Sequence, residues 1–330
     1  MHRSLLPVCV VAFALFPLLL VTGAPAGAPG DQEPESIPAR TLVQGTVIAP
    51  IDVSKGQPVI EVRLDGKGPF RFYLDTGAGT TVINGDLAKE LGLAVLDSTR
   101  IGDPVNPMAI RADVVELKSI EVGTARFEGL RAVTWDRSTL RPGPDSPRGV
   151  LGIGVFHDVL LGLDYPKSEL RLQSGMLPEA DGARILDYRS PQGIPVIPVT
   201  VGDRIYQAHL DSGSPSLLSL PLAHQDSLRL LAPPKEIGRG RTANTELVIY
   251  GAQLADTMRI GSHVFPQAMI RFNDRLPDAN LGGGALREFV VTLDQKNRRV
   301  RFDRTGRPAP PRELRRSDTA PADSAAATKR

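Results

Sequence analysis

Two stretches of the sequence, residues 70–78 and 207–214, each lead an apolar run into an acid that is followed by a hydroxyl residue and a glycine. The acids are Asp75 and Asp211. A carboxylate at the end of a buried strand is costly unless it is paired or hydrogen-bonded. A chain that repeats this arrangement is therefore expected to bring the two carboxylates together. Two like charges at close range cannot both ionise, so such a pair shares one proton and offers an acid and a base at one site.

Predicted strands deliver both acids. In residues 60–64 apolar and charged side chains alternate, which is the period of a half-buried strand. Residues 65–68 predict a hairpin turn, and residues 70–74 return as the partner strand that carries the first acid. Residues 193–201 repeat the opening pattern, and a partner strand then leads to the second acid. The two acids are thus expected at equivalent strand ends.

The repeat continues beyond the acids. Each half later contains a Leu-Gly block that precedes two further strands joined by a turn. An internal repeat of this length implies two similar folding units. Aligned without gaps, the blocks coincide at Leu151/Leu281, Gly152/Gly282, Gly154/Gly284, Asp164/Asp294 and Arg171/Arg301.

The chain of 330 residues is long enough for two lobes of ordinary size. The predicted boundaries follow the repeat and the shifts in composition at both ends. They are a signal peptide over 1–26, a disordered polar linker over 27–40, an N-terminal lobe over 41–173, a connector over 174–192, a C-terminal lobe over 193–305 and a disordered tail over 306–330.

The first residues predict export. His2 and Arg3 precede the apolar run 5–21, and residues 24–26 offer an Ala-Pro-Ala cleavage site. An uncleaved anchor is the alternative, but the run is short for a span and holds two prolines. The expected location is periplasmic or secreted, with membrane anchoring if the signal stays uncleaved and no stable span after cleavage. Cys9 is the one cysteine and lies in the signal, so the mature chain has no disulfide.

Composition excludes several other classes of function. The net charge of +2 gives no electrostatic footprint for nucleic acid. Five scattered histidines and one cysteine have no metal-ligand spacing, so neither a metal nor a cofactor is predicted. The 32 glycines and 29 prolines favour many turns, as in all-β folds.

With these motifs, the chain resembles the pepsin-like and retropepsin-like aspartic peptidases, in a two-lobed bacterial form. Residues 75–78 and 211–214 match the family's motif of Asp, Thr or Ser, Gly, and Ser, Thr or Ala. Residues 150–152 and 280–282 stand where the family has two hydrophobic residues and a glycine. The resemblance covers roughly residues 50–305. It implies an all-β fold of two similar six-stranded-type β-barrel lobes, with the active-site cleft between them.

The resemblance also implies an activity. Asp75 and Asp211 would be the catalytic pair of an aspartic-type endopeptidase, which hydrolyses peptide bonds with an activated water and needs no metal or cofactor. The substrate would be a peptide or an unfolded protein. Because both half-sites lie on one chain, the protein is expected to be a monomer.

Five neighbouring residues would support the pair. The hydroxyls of Thr76 and Ser212 are expected to hydrogen-bond across the lobes and hold the two loops together. Gly77 and Gly213 would let backbone N–H groups approach the carboxylates, where a side chain would block them. Ser214 keeps the hydroxyl that the family often places after the glycine, hydrogen-bonded to the acid.

Three features depart from the family pattern. Ala78 has no hydroxyl where the second motif has Ser214, and Asn280 replaces an apolar residue. No aromatic residue lies between Ile101 and Ile120, where pepsins carry a tyrosine on the flap hairpin. The Ala78 and flap departures keep a second hypothesis open, namely a catalytically weak or inactive peptide-binding protein of the same fold.

Other interpretations have less support. Two half-sites could assemble between chains, as in retroviral enzymes, but the internal repeat makes that unnecessary. Residues 210–215 superficially resemble a serine-protease nucleophile loop, which would need a positioned His and Asp. His209 is interpreted as a structural or solvent-facing residue and Trp135 as a core residue.

Overall fold

The structure, a computed structural model, describes residues 19–20, 31–102, 110–135, 145–191, 193–241 and 246–305. These residues are mostly β-strand, with a closed six-stranded barrel and further strands. This confirms the all-β, acid-protease-like fold expected from the sequence. Within those ranges, no helix has both the length and the apolar composition needed to cross a membrane.

The strands are numbered in chain order. In the first half they are β1 (Leu19–Leu20), β2 (Arg40–Leu42), β3 (Thr46–Asp52), β4 (Val59–Leu64), β5 (Lys67–Asp75), β6 (Thr81–Asn84), β7 (Val95–Gly102), β8 (Ile110–Val122), β9 (Ala125–Trp135), β10 (Gly149–Gly152), β11 (Leu160–Asp164) and β12 (Glu169–Gln173). In the second half they are β13 (Ile185–Asp187), β14 (Val196–Val201), β15 (Arg204–Asp211), β16 (Leu218–Pro221), β17 (Lys235–Arg241), β18 (Glu246–Gln253), β19 (Thr257–Ile260), β20 (His263–Pro266), β21 (Met269–Asn273), β22 (Ala279–Gly282), β23 (Phe289–Asp294) and β24 (Arg299–Arg304). The helices are α1 (Gly85–Leu91), α2 (Gly283–Leu286) and two short 3-10 helices, Ile153–Phe156 and Leu222–Ser227.

Six strands of the first half close into a barrel in the order β4, β5, β10, β6, β9 and β8. The barrel closes because β8 pairs back onto β4, with Arg63 opposite Glu121 and Leu64 opposite Ile120. The pairs β5–β10 and β6–β9 are parallel, whereas β4–β5 is the predicted antiparallel hairpin. Strand β4 alternates between buried and exposed residues over most of its length, as its sequence predicts.

The second half repeats the same order of pairing with β14, β15, β22, β16, β21 and β18. The long strand β8 has a split counterpart here, because β18 ends at Gln253 and β19 begins at Thr257. Strand β19 pairs with β14 just as the end of β8 pairs with β4. The two lobes are therefore similar in topology, with the second completed by two shorter strands.

A third group of strands joins the lobes. Strands β3, β12 and β11 of the first half continue directly into β23, β24 and β13 of the second half. The junction is the antiparallel pair β11–β23, in which Leu161 lies opposite Leu293. The sequence predicts strands at most of these positions but not that they form a sheet shared by both halves. The domain boundaries given above stay a prediction.

The helix α1 lies beside the first barrel and has well-formed ends. The side chain of Asn84 accepts a hydrogen bond from the backbone N–H of Asp86, which caps the first turn. Gly92 ends the helix in the left-handed conformation, with φ of 71°. Leu87 and Ala88 are buried against the barrel.

Residues 31–40, the described part of the predicted linker, hydrogen-bond to the first lobe through Ser36. Ser36 is buried, and its hydroxyl donates to the carbonyl oxygen of Arg131 at 2.9 Å. The same hydroxyl accepts from the backbone N–H of Thr81, also at 2.9 Å. A short polar segment is ordered when its side chains satisfy backbone groups that would otherwise be buried without partners.

Two terminal predictions fall on residues that the structure hardly describes. Of the predicted signal peptide, only β1 is described, and it pairs antiparallel with the end of β7. The predicted disordered tail over 306–330 lies outside the described residues.

Candidate active site

The two predicted acids stand at the ends of equivalent strands, one in each lobe. Asp75 is the last residue of β5, and Asp211 is the last residue of β15. Each strand runs parallel to a neighbour that ends in a glycine, so Gly152 is paired with Asp75 and Gly282 with Asp211. The internal repeat thus delivers both acids in the same local setting.

The structure brings the two acids together in a buried environment. Both residues are 1% exposed, and their carboxyl groups hydrogen-bond to each other. The backbone N–H of Gly77 donates to Asp75 Oδ1 at 2.8 Å, and the N–H of Ser214 donates to Asp211 Oδ1 at 3.0 Å. Each carboxyl group is therefore held by the turn that follows it.

The hydroxyls of Thr76 and Ser212 connect the two turns. Thr76 Oγ1 donates to the carbonyl oxygen of Leu210 at 2.6 Å and accepts from the N–H of Ser212 at 2.9 Å. Ser212 Oγ donates to the carbonyl oxygen of Leu74 at 2.8 Å and accepts from the N–H of Thr76 at 3.0 Å. These four buried hydrogen bonds join the end of one acid-bearing strand to the end of the other.

Replacing Thr76 by Val is expected to destabilise the protein by about 2–4 kcal/mol. The change keeps the shape of the side chain but leaves one buried carbonyl and one buried N–H without partners, each costing about 1–3 kcal/mol. Urea unfolding of the purified protein measures the difference. Thr46→Val, at an exposed position of β3, is the control and should change the free energy of unfolding little. Equal effects of the two variants would contradict the proposed importance of the cross-lobe bonds.

Gly77 and Gly213 allow the two turns to come this close. A Cβ at Gly77 would lie 2.8 Å from Asp211 Cγ, and a Cβ at Gly213 would lie 2.5 Å from Asp75 Cγ. Each glycine thus packs against the acid of the opposite lobe. A side chain at either position would push the acids apart.

Burial raises the pKa of both acids. For Asp75 the main cause is loss of solvation, with the nearby charge of Asp211 second, and its pKa lies well above the ordinary Asp value. Burial also raises the pKa of Asp211, but a hydrogen bond from Asn280 opposes that rise. Because the Asn280 amide donates to Asp211, that acid is the better site for the negative charge, which leaves the shared proton to Asp75.

Comparison with known proteins agrees with this geometry. Residues 60–165 match a family model described as aspartyl protease. The resemblance to pepsin-like and retropepsin-like aspartic peptidases is therefore confirmed. No curated protein matches the chain. The match contains Asp75 and supports a protease-type function, whereas Asp211 lies beyond it. The place of Asp211 in this candidate site depends on the internal repeat and on the contacts described above.

Asn280 has a role in the candidate site that the sequence does not predict. Its side-chain Nδ2 donates to Asp211 Oδ2 at 2.6 Å, and the residue is buried. The sequence marks Asn280 only as a departure from an apolar position. Ser214 also differs from its predicted role, because its hydroxyl bonds to the hydroxyl of Ser216 at 2.8 Å and only its backbone N–H bonds to Asp211.

Replacing Asn280 by Leu is expected to move the acidic limb of the pH–rate profile up by about one pH unit. The hydrogen bond from Asn280 favours the ionised form of Asp211, so loss of this bond raises the pKa of that acid. A hydrogen bond to a charged group is worth about 1.5–3 kcal/mol. Hydrolysis measured as kcat/KM against pH tests this. Ser214→Ala should leave the limb in place, since its hydroxyl does not contact the acid. An unshifted limb in Asn280→Leu would contradict the assignment.

Gln57 is a further residue that sequence reasoning missed. It lies just before β4, is buried, and its Nε2 donates across the lobes to the carbonyl oxygen of Gly213. No motif or periodicity marks this position, because the contact depends on how the two lobes meet. Gly56, the preceding residue, also lies against the second lobe, since a Cβ at Gly56 would lie 3.4 Å from Pro215 Cβ and a Cβ at Gly283 would lie 2.8 Å from the Gly56 carbonyl oxygen.

The other residues singled out from the sequence have structural surroundings. Trp135 is 8% exposed and packs in a small apolar cluster with Ala78, as expected of a core residue. His209 is buried with Nε2 3.8 Å from Asp278 Oδ2, and its proximity opposes the rise that burial causes in the pKa of Asp211. The segment that would form the tip of the flap hairpin, residues 103–109, lies outside the described residues. Among the described residues no cluster of three or more His, Cys, Asp or Glu side chains could hold a metal ion.

Proposed function

We propose that the protein is an aspartic endopeptidase whose catalytic groups are Asp75 and Asp211. The observation that carries the proposal is the buried pair of carboxyl groups, hydrogen-bonded to each other at the junction of two similar lobes. Burying two acids together is unfavourable unless one of them keeps a proton. A pair in that state is an acid and a base at one site, as hydrolysis of an amide requires.

In the proposed mechanism Asp211 is ionised and Asp75 is protonated. Asp211 takes a proton from a water molecule, whose oxygen attacks the carbonyl carbon of the scissile peptide bond, while Asp75 gives its proton to the carbonyl oxygen. The resulting tetrahedral diol then collapses. Asp211 returns its proton to the leaving nitrogen, Asp75 takes a proton from one hydroxyl, and the carbon–nitrogen bond breaks. The pair thereby regains its starting protonation state.

We infer that the enzyme acts as a monomer on peptides or unfolded proteins after export, in the periplasm or outside the cell. A single chain supplies both acids, which supports the monomer. The charged start, apolar run and Ala-Pro-Ala site of the first 26 residues support export. The competing proposal, a peptide-binding protein without turnover, has only the Ala78 and flap departures in its favour.

A protease assay tests the proposal. Purified residues 27–330 should cleave a denatured protein such as reduced casein in mild acid, and a statine-type mimic of the tetrahedral intermediate should block the cleavage. Because burial raises the pKa of both acids, the active range is expected to extend above the ordinary Asp value of about 3.9. Peptide binding without hydrolysis across a broad pH range would instead support the competing proposal.

A further inference from the structure

A pocket of the second lobe opens directly beside Asp211. Its lining includes Arg271 and Asn273 of β21 and the apolar residues Leu247 and Ile249 of β18. Because Asp211 itself lines this pocket, whatever occupies it lies next to the reacting bond. The composition of the pocket therefore bears on which substrates the site accepts.

The strand register fixes how near Arg271 is to the catalytic group. Ser219 of β16 is paired with Asn280 on one side and with Arg271 on the other, so the three side chains share one face of the sheet. Neighbouring strands are about 4.8 Å apart, which places the backbone of Arg271 about 10 Å from that of Asn280. Asn280 in turn bonds to Asp211 at 2.6 Å. An arginine side chain is long enough to cover much of this distance.

Arg271 has no anionic partner among the described residues, although it is largely shielded from solvent. Arg275, four residues further along the chain, does have an anionic partner, because its Nε lies 3.8 Å from Asp274 Oδ2. Burial lowers the pKa of Arg271, and no ion-paired or hydrogen-bonded acid offsets that effect. Shielded charges are normally paired, because a lone charge loses hydration without compensation. An unpaired guanidinium beside a reaction centre is an arrangement that a bound anion would complete.

Asn273 adds a second donor to the same pocket. Its side-chain Oδ1 accepts from the backbone N–H groups of Arg275 and Leu276, both at 2.9 Å. The amide oxygen is thus occupied by protein groups, and the Nδ2 group is the part of the side chain left to bind a ligand. The Arg271 guanidinium and the Asn273 amide group can both donate hydrogen bonds to a carboxylate, and the apolar side chains beside them can pack against a short aliphatic stem.

We propose that this pocket binds a carboxylate of the substrate, with Arg271 as the specificity-determining residue. The preferred source is the side chain of a Glu or Asp next to the scissile bond, on the side of the second lobe. The inference depends on the proposed peptidase function, because it assigns a preference to that same site. It goes further in predicting that cleavage is selective and not general.

A matched peptide series tests the pocket. Peptides that differ only at the two positions flanking the cleaved bond, with Glu, Gln or Leu, are compared by kcat/KM at pH 5.5, where a free Glu of pKa about 4.3 is ionised. At one of the two positions, wild type should cleave the Glu peptide about 10- to 100-fold faster than the Gln peptide. Arg271→Met keeps the aliphatic stem and should reduce that ratio to about one.

Arg259→Met is the control, since Arg259 is exposed on β19 at the other side of the second-lobe sheet. It should keep the full preference for Glu. If Arg271→Met also keeps the preference, or if wild type cleaves all three peptides equally, the inference is overturned while the peptidase proposal stands. If wild type hydrolyses neither these peptides nor casein, the peptidase proposal itself fails.

A second experiment distinguishes the two possible sources of the carboxylate, a side chain of the substrate and its free C-terminus. The free C-terminus of a substrate has the same chemistry as a Glu side chain and could occupy the pocket when the cleaved bond is near the end of the peptide. Amidating the C-terminus of the Glu peptide should leave its cleavage unchanged if the side chain is the ligand. A loss of about tenfold or more on amidation, with no effect of Glu against Gln, would overturn the side-chain assignment.

Discussion

Asp75→Asn and Asp211→Asn are each expected to lower kcat for peptide hydrolysis by about 10³-fold or more. Asn has nearly the shape of Asp but cannot exchange a proton, and positioned proton transfer contributes about 10²- to 10⁴-fold to a rate. In the proposed mechanism both acids act in both steps, so neither loss can be compensated by the other acid. Single-turnover and steady-state cleavage of a fluorogenic peptide measure the effect.

Measurements of stability distinguish a variant that has lost proton transfer from one that has lost its folded structure. A buried acid with a raised pKa stabilises the native state below its unfolded pKa, and this contribution is lost as pH rises through the folded value. The free energy of unfolding of Asp75→Asn, measured relative to that of wild type, should therefore be higher at pH 7 than at pH 3. Asp86→Asn, on the exposed first turn of α1, should change neither activity nor this difference. Full activity in either catalytic variant would contradict the assignment of the pair.

Gly213→Ala is expected to reduce kcat/KM by about 10²-fold or more and to destabilise the protein. The added Cβ would lie 2.5 Å from Asp75 Cγ, well inside van der Waals contact. Relieving the overlap must move the carboxyl group or the turn, and small displacements of catalytic groups can cost about 10²-fold. Overpacking alone costs about 1–3 kcal/mol in stability. Hydrolysis assays and urea unfolding report the two effects separately.

Gly85→Ala is the matched control for that substitution. Gly85 begins α1, a Cβ added there would meet no atom within 4 Å, and its φ is not positive. The change should leave hydrolysis unaffected and slightly favour the helix. If Gly213→Ala behaved like Gly85→Ala, the close approach of the two lobes at the acids would not matter for catalysis.

The repeat makes the fold and the acid pair predictable from the sequence. Strand periodicity locates β4 and β5, and the second copy of the motif identifies Asp211 as the partner of Asp75. What the repeat cannot give is the lateral register of strands far apart in sequence. Arg271 lies near Asn280 because β16 pairs with the strand of each, through Ser219. The sequence spacing of these three residues shows no pattern that predicts this pairing.

Contacts between the lobes are equally hard to predict. Gln57 reaches Gly213 across more than 150 residues of chain, and no local signal marks such a contact. The polar composition of residues 31–40 predicts disorder. Composition alone does not reveal that the Ser36 hydroxyl forms hydrogen bonds with two backbone groups. The sequence shows the departure at Asn280 but not its consequence, which depends on a hydrogen bond between two neighbouring strands.

The shared sheet has a consequence for synthesis of the chain. Strand β11 is buried along its whole length and pairs with β23, which is made only after residue 288. At about 5–20 residues per second, a ribosome would take roughly ten seconds to supply that partner. During this interval the newly made first half presents the open edge of a leucine-rich strand, which is a template for aggregation. Export in an unfolded state, or a chaperone held until the second half arrives, would protect it.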